Sequence, residues 1–174
     1  MKKVMKEGCS FDNMASILNH FGFRRGDGEK YNEPYGWRTG GYEIGDQGKK
    51  HFHLWFPHAS YDAGGFANIV SDNGKVITER RALVQKKDTK YAAKTVFEKF
   101  EEQLKRGEKI YRITFAHDID QKSRVGKYRF FGVYELVDMP KNTPDGYDYL
   151  LKHNRVLTEF QYESGNPHSL MEIL

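Results

Sequence analysis

The chain has 174 residues, 30% of them charged, and a net charge of +4, with a mean hydropathy of -0.79. That polarity, with no apolar run near the roughly 18 residues of a membrane span, describes a soluble protein of one domain that can build a core without disulfides. A single cysteine, Cys9, excludes an internal disulfide, and the lysine-led start lacks the apolar stretch of a signal peptide, so a cytoplasmic setting is expected.

In chain order, "SFDNMASILNHFGF" predicts a short helix over 10–22, with Ser10 as its N-cap, Gly22 at its end and Phe11, Met14, Ile17, Leu18 and Phe21 on one stripe. Residues 23–49 carry seven glycines and few aliphatics, which predicts a long loop, or a loop around one short strand. This segment is neither a phosphate loop nor a dinucleotide fingerprint. Glu43 stands where the first phosphate-loop glycine belongs, Lys50 replaces the hydroxyl residue, and Tyr31 occupies the last glycine position of "GDGEKY".

From residue 50 to 162 the pattern is that of a barrel-like core. "KHFHLWFPH" is a strand stopped by Pro57, and "FANIVSDNGKVITERR" is a hairpin turning at "DNG". "DTKYAAKTVFEKFEEQLKRG" predicts a helix capped by Asp88 and closed by Gly107, burying Ala93, Val96, Phe97, Phe100 and Leu104. "KIYRITFA" turns Tyr111, Ile113 and Phe115 to one face, and a turn at "SRVG" leads to "KYRFFGVYELVDMP". Strict alternation there puts Tyr128, Phe130, Gly132, Tyr134 and Leu136 on one side and Arg129, Phe131, Val133, Glu135 and Val137 on the other. Both sides are apolar, as in a barrel strand covered from outside, and Gly132 among large rings marks a bend or a close backbone approach. "RVLTEFQYE" supplies a last strand and "NPHSLMEIL" a terminal helical turn. The expected class is α+β, with a small, curved, antiparallel-rich sheet.

"FFGVYELVD" resembles a strand of PUA-like barrels, particularly those of the EVE and YTH branches. "LKRGEKIYRITFAHD" is similar to the segment that enters a strand in those folds, and "HLWFPHAS" to their first barrel strand. The chain departs from the pattern at Glu108, where an Asp is usual, and after "WFPHAS", where a Lys-Ser is absent. The resemblance implies a PUA-like barrel and a non-enzymatic reader of DNA or RNA that holds a modified or flipped base in an aromatic pocket, with no cofactor or metal. A base offers its π-face to such a pocket, and stacking contributes about 1–3 kcal/mol per base. Trp37, Trp55, Tyr35 and Tyr42 are the candidate walls, and Arg38, Lys49, Lys50, Arg124 and Lys127 the candidate phosphate contacts.

Two other groupings point to different chemistry. His51 and His53 share a strand face with His58 beyond the proline, and "AHDID" places His117, Asp118 and Asp120 at a strand end. Converging in space, they would suit a metal-dependent nuclease. A third reading is a protein-binding inhibitor or adaptor, because interface loops are also rich in Tyr, Trp and Gly.

Overall fold

The computed structural model describes residues 1–32, 41–60, 67–81, 87–118 and 127–174, the side chains of 60, 87–94 and 118 aside. The strands are β1 (Lys2–Lys6), β2 (Ser10–Phe11), β3 (Tyr42–Gln47), β4 (Lys50–Trp55), β5 (His58–Ser60), β6 (Asn68–Ser71), β7 (Val76–Arg81), β8 (Lys109–Asp118), β9 (Tyr128–Asp138), β10 (Tyr149–Leu157) and β11 (Glu159–Glu163). The helices are α1 (Met14–His20) and α2 (Lys87–Lys105), and a 3-10 helix spans Pro167–Glu172.

Among the described residues, six strands close on themselves in the order β8, β9, β10, β7, β6, β5 and back to β8. This is a PUA-like barrel in an α+β chain, as the strand patterns and the family resemblance together led one to expect. β5 runs parallel to both β6 and β8, and the other neighbours in the ring are antiparallel. β4 lies parallel to the first half of β8 and pairs on its far side with β3. Pro57 separates β4 from β5, because it has no amide for the ladder; its carbonyl still accepts from the His117 amide at 3.1 Å.

The aromatic strand β9 shows how closure is achieved. Its register with β8 jumps from Gly132 opposite Thr114 to Phe130 opposite Phe115, so Phe131 is an extra residue in a bulge. The bulge shifts the alternation. Tyr128, Phe130 and Val133 pack together in the outer core with α1, while Phe131 and Tyr134 join the barrel interior. Strict alternation therefore assigned Val133 to the wrong face. Gly132 is required here: its φ is +145°, and an added Cβ would lie 2.8 Å from the Leu157 carbonyl oxygen and 2.5 Å from Arg155 Cδ.

α1 is capped by Asn13, not Ser10. The Asn13 side chain accepts from the Ser16 amide at 2.8 Å, while Ser10 and Phe11 are held in a two-residue strand against β9. Met14, Ile17, Leu18 and Phe21 are buried and Phe11 is half-buried. α2 begins at Lys87, so Asp88 lies within the helix instead of before it. It ends at Lys105 and is closed by Gly107, whose amide reaches the Leu104 carbonyl at 3.0 Å, while the Glu108 amide reaches the Gln103 carbonyl at 3.0 Å. Its Phe97 and Phe100 pack on Ile110, Leu136, Tyr149 and Leu151, covering one flank of the barrel. Two elements depart from the expected course. The first residues form β1, paired with β11, and the stretch read as one last strand breaks at Thr158 into β10 and β11.

Gly132→Ala is expected to lower the unfolding free energy by about 2 kcal/mol or more, since a side chain there is strained by both φ and contact. Urea denaturation of the variant against the parent chain measures it.

Candidate functional site

Trp55, Ala59, Val70, Ile77, Ala116 and Tyr134 form the apolar part of the barrel interior. Polar side chains fill the rest. Asn68 and Glu79 are directly opposed across β6 and β7, one step along from the buried pair Val70 and Ile77, so both point inward. Arg112 enters from β8 and His153 from β10, and Glu79, Arg112 and His153 are all fully buried.

Glu79 is the hub. Its Oε2 accepts from Arg81 Nη2 at 2.8 Å and Nε at 3.1 Å, and its Oε1 accepts from Arg112 Nη1 at 3.2 Å. His153 Nε2 stands 3.6 Å from the same Oε1, beyond an ordinary hydrogen bond. Burial alone would push this carboxyl up, but Arg81, His153 and Arg112 together outweigh it and hold Glu79 well below the usual carboxylate range. It is therefore an acceptor at neutral pH. Arg112 is sandwiched by rings, with its guanidinium carbon 3.9 Å from the Trp55 centroid and 5.6 Å from that of Phe100. Burial draws its pKa down to about 10, partly offset by Glu79, so it stays charged.

Several buried polar atoms in this interior have no partner. Asn68 donates from Nδ2 to the His58 carbonyl at 2.9 Å, which leaves its Oδ1 an unmatched acceptor. Arg112 Nε and Nη2 and His53 Nδ1 are also unmatched. Orphaned buried polar groups are rare in folded proteins and each costs about 1–3 kcal/mol, so their clustering marks a place built for something other than stability.

The residues singled out from the sequence are dispersed. Trp55 is 2% exposed, covered by Arg112 and by His153 at 4.7 Å between ring centroids. Tyr42 is 4% exposed and packs edge-on against Phe56 and Tyr31 in the outer core. Tyr35, Trp37, Arg38 and Arg124 lie outside the described residues. Lys127 is exposed and 4.0 Å from Asp12, just before the point where Tyr128 pairs with His117. Lys49 and Lys50 stand at the other end of β8, where Lys50 pairs with Lys109 and its Nζ donates to the Leu174 carbonyl at 3.0 Å. The basic residues are thus split between two ends of a strand about 30 Å long.

The two histidine groups meet only at His58 and His117, and His51 and His53 lie apart from that pair. His51 pairs with Glu108 at 2.9 Å, and His53 packs on Phe100 beside Arg112. His117 is five residues further along β8 from Arg112, stacked with His58 at 5.1 Å and Tyr128 at 5.2 Å. Asp120 lies outside the described residues, among which no group of three or more His, Cys, Asp or Glu side chains is placed to hold a metal ion.

Burial lowers the pKa of His153 to about 4 and, with Arg112 adding to it, that of His53 to about 3. Both are neutral in the folded protein at pH values where the unfolded chain binds protons, so their contribution is fully present above about pH 6.5 and is lost as pH falls toward the folded values. Unfolding free energy should drop by about 3–4 kcal/mol between pH 7 and pH 5, and His153→Gln should remove about half of that slope. Urea midpoints across this range measure it.

Three comparisons bear on this barrel. No curated protein matches the chain. A solved structure titled "The 5-Hydroxymethylcytosine-Specific Restriction Enzyme AbaSI" matches with a TM-score of 0.50 and 23% identity, over 94% of this chain and 43% of that one. The chain therefore spans less than half the length of that enzyme, and the likeness is one of fold. The family model of the SET and RING associated domain matches residues 4–161. SRA domains are PUA-like, bind DNA and take modified cytosine by flipping the base out of the helix. The barrel described above, matched over nearly its whole length, makes this chain a member of the SRA domain family.

Proposed function

We propose that this SRA domain reads a cytosine modified at C5, flipped from duplex DNA, with Asn68 and Glu79 recognising its exocyclic amine. The observation that carries the reading is the Asn68 Oδ1: a buried acceptor with no donor, directly across the ladder from a buried carboxylate. A flipped base is read on its Watson–Crick edge. Cytosine presents an N4 amine with two hydrogens at that edge, whereas thymine presents a carbonyl oxygen. Two facing acceptors satisfy both amine hydrogens and repel the carbonyl. The reading is further supported by likeness to an enzyme whose title makes it specific for 5-hydroxymethylcytosine.

Stacking on the flipped base is assigned to Tyr35 and Trp37. Trp55, under Arg112, serves as the floor of the interior. Phosphate contacts are assigned to Arg124 and Lys127, because Tyr128 pairs with His117 next to the Asp118, Ala59 and Asn68 ladder. Lys49, Lys50 and Arg38 complete the basic set and are tested alongside.

Fluorescence anisotropy with duplexes carrying cytosine, 5-methylcytosine, 5-hydroxymethylcytosine or thymine at one position tests this. The parent chain should prefer a modified cytosine, and Asn68→Ala should weaken that complex by about 10–100-fold, the size of one good base contact. Equal affinity for all four duplexes would overturn the reading.

Lys127→Ala should weaken all four complexes alike and reduce the slope of log affinity against log salt by about one. Lys50→Ala should leave the slope unchanged. The same titrations at three salt concentrations show which end of the barrel meets the phosphates.

A further inference from the structure

We propose that Arg112 is the positioning residue for base recognition, fixing Glu79 in the one orientation that leaves an acceptor open toward the base. The proposal rests on the modified-cytosine reading above and adds a residue that touches neither base nor phosphate.

The argument starts from the lone pairs of Glu79. Each carboxylate oxygen accepts two hydrogen bonds. Arg81 takes up Oε2 with both Nε and Nη2, while Oε1 accepts one hydrogen bond, from Arg112 Nη1, with His153 Nε2 at 3.6 Å beyond hydrogen-bond reach. One acceptor site on Oε1 remains. Every element around Glu79 contributes a facing group: Arg81 on its own strand, Asn68 on β6, His153 on β10, Arg112 on β8, and behind Arg112 the rings of Trp55, Phe100 and His53. His153 is held neutral by its burial and does not supply the balancing charge at physiological pH. Arg81 is partly exposed and addresses the other oxygen. Arg112 is therefore the cation that sets the direction of Oε1.

The guanidinium is itself immobilised. It is completely buried, held over the Trp55 face at 3.9 Å, and cannot turn without breaking that contact. A planar fork between rings is a geometry that a lysine ammonium does not reproduce. A fully buried arginine with two unmatched donors is poor for stability, which fits a residue kept for what it orients.

Two variants separate charge from geometry. Arg112→Lys keeps a cation but loses the fork, so it should weaken binding to modified-cytosine duplex by about tenfold at every pH. Arg112→Met removes the cation. Arg81 still holds Oε2, but Oε1 loses the hydrogen bond that directs it, so binding to modified-cytosine duplex should fall by about tenfold. The carboxyl carbon of Glu79, followed by NMR, should shift and broaden in Arg112→Met while the backbone signals of β7 keep their parental positions. This readout reports the direction of the Glu79 carboxylate itself, apart from any change at His53 or His153.

A parent chain with no preference for modified cytosine would remove the base reading, and this proposal with it. A parent that prefers modified cytosine, with both variants retaining its affinity and an unchanged Glu79 carboxyl signal in Arg112→Met, would overturn the role of Arg112 alone. If Arg112→Met fails to fold, Arg112→Lys decides: parental affinity and discrimination in that variant reject the proposal, and the uniform loss supports it.

Discussion

The ion pair between Glu79 and Arg112 is the constraint around which the barrel interior is arranged. Removing two charges from water is costly, and the pair is retained only because each charge is met from several sides. Arg81 and Arg112 approach the carboxylate, and Trp55 and Phe100 cover the guanidinium. Well-packed apolar residues would fill the same volume with equal or greater stability. The choice of charge in the middle of a barrel therefore points to recognition, as do the unmatched atoms of Asn68 and Arg112 beside it.

Those polar side chains keep their places because the walls are rigid. Closure of six strands removes free sheet edges, and the Phe131 bulge bends β9 so that the sheet meets itself. The same bulge sends Tyr134 into the interior, where its hydroxyl donates to the Gly74 carbonyl of the β6–β7 turn. The strand that carries Glu79 is thus tied at its turn to the strand that closes the barrel. α2 supports the arrangement from its flank by placing Phe100 against both His53 and Arg112. A base-reading site needs this kind of support, since its selectivity depends on acceptors that do not move to suit the wrong base.

Much was legible in the sequence. The stripe of α2 at Val96, Phe97, Phe100 and Leu104, its glycine stop, the "DNG" hairpin and the pause at Pro57 all follow from local chemistry, and the structure contains each of them, while the Ala93 side chain lies outside those described. Asp72 and Asn73 adopt positive φ in that turn, as short polar side chains permit. The aromatic run with its single glycine was enough to indicate a PUA-like barrel. Local rules failed where a contact from elsewhere decided the outcome. Ser10 is a good cap by type, but pairing with β9 claimed it and left the cap to Asn13. The N-terminal lysines became a strand only because β11 offers them an edge.

The site was the least legible part. Arg112 stands between Tyr111 and Ile113, and when those two side chains were assigned to the core, alternation put Arg112 on the outside. In a closed barrel the second face is also an interior, so Arg112, Glu79, Asn68 and His153 are buried without any apolar signal. Their positions lie on four strands separated by long stretches of chain, and only the ladder brings them within reach of one another. By itself the sequence determined the elements, because periodicity, turn residues and aromatic runs act over a few neighbouring residues, and its resemblance to a known family supplied the PUA-like barrel and the expectation of a modified-base reader. The tertiary structure alone decided which polar side chains face inward together, because that depends on closure and register between distant strands.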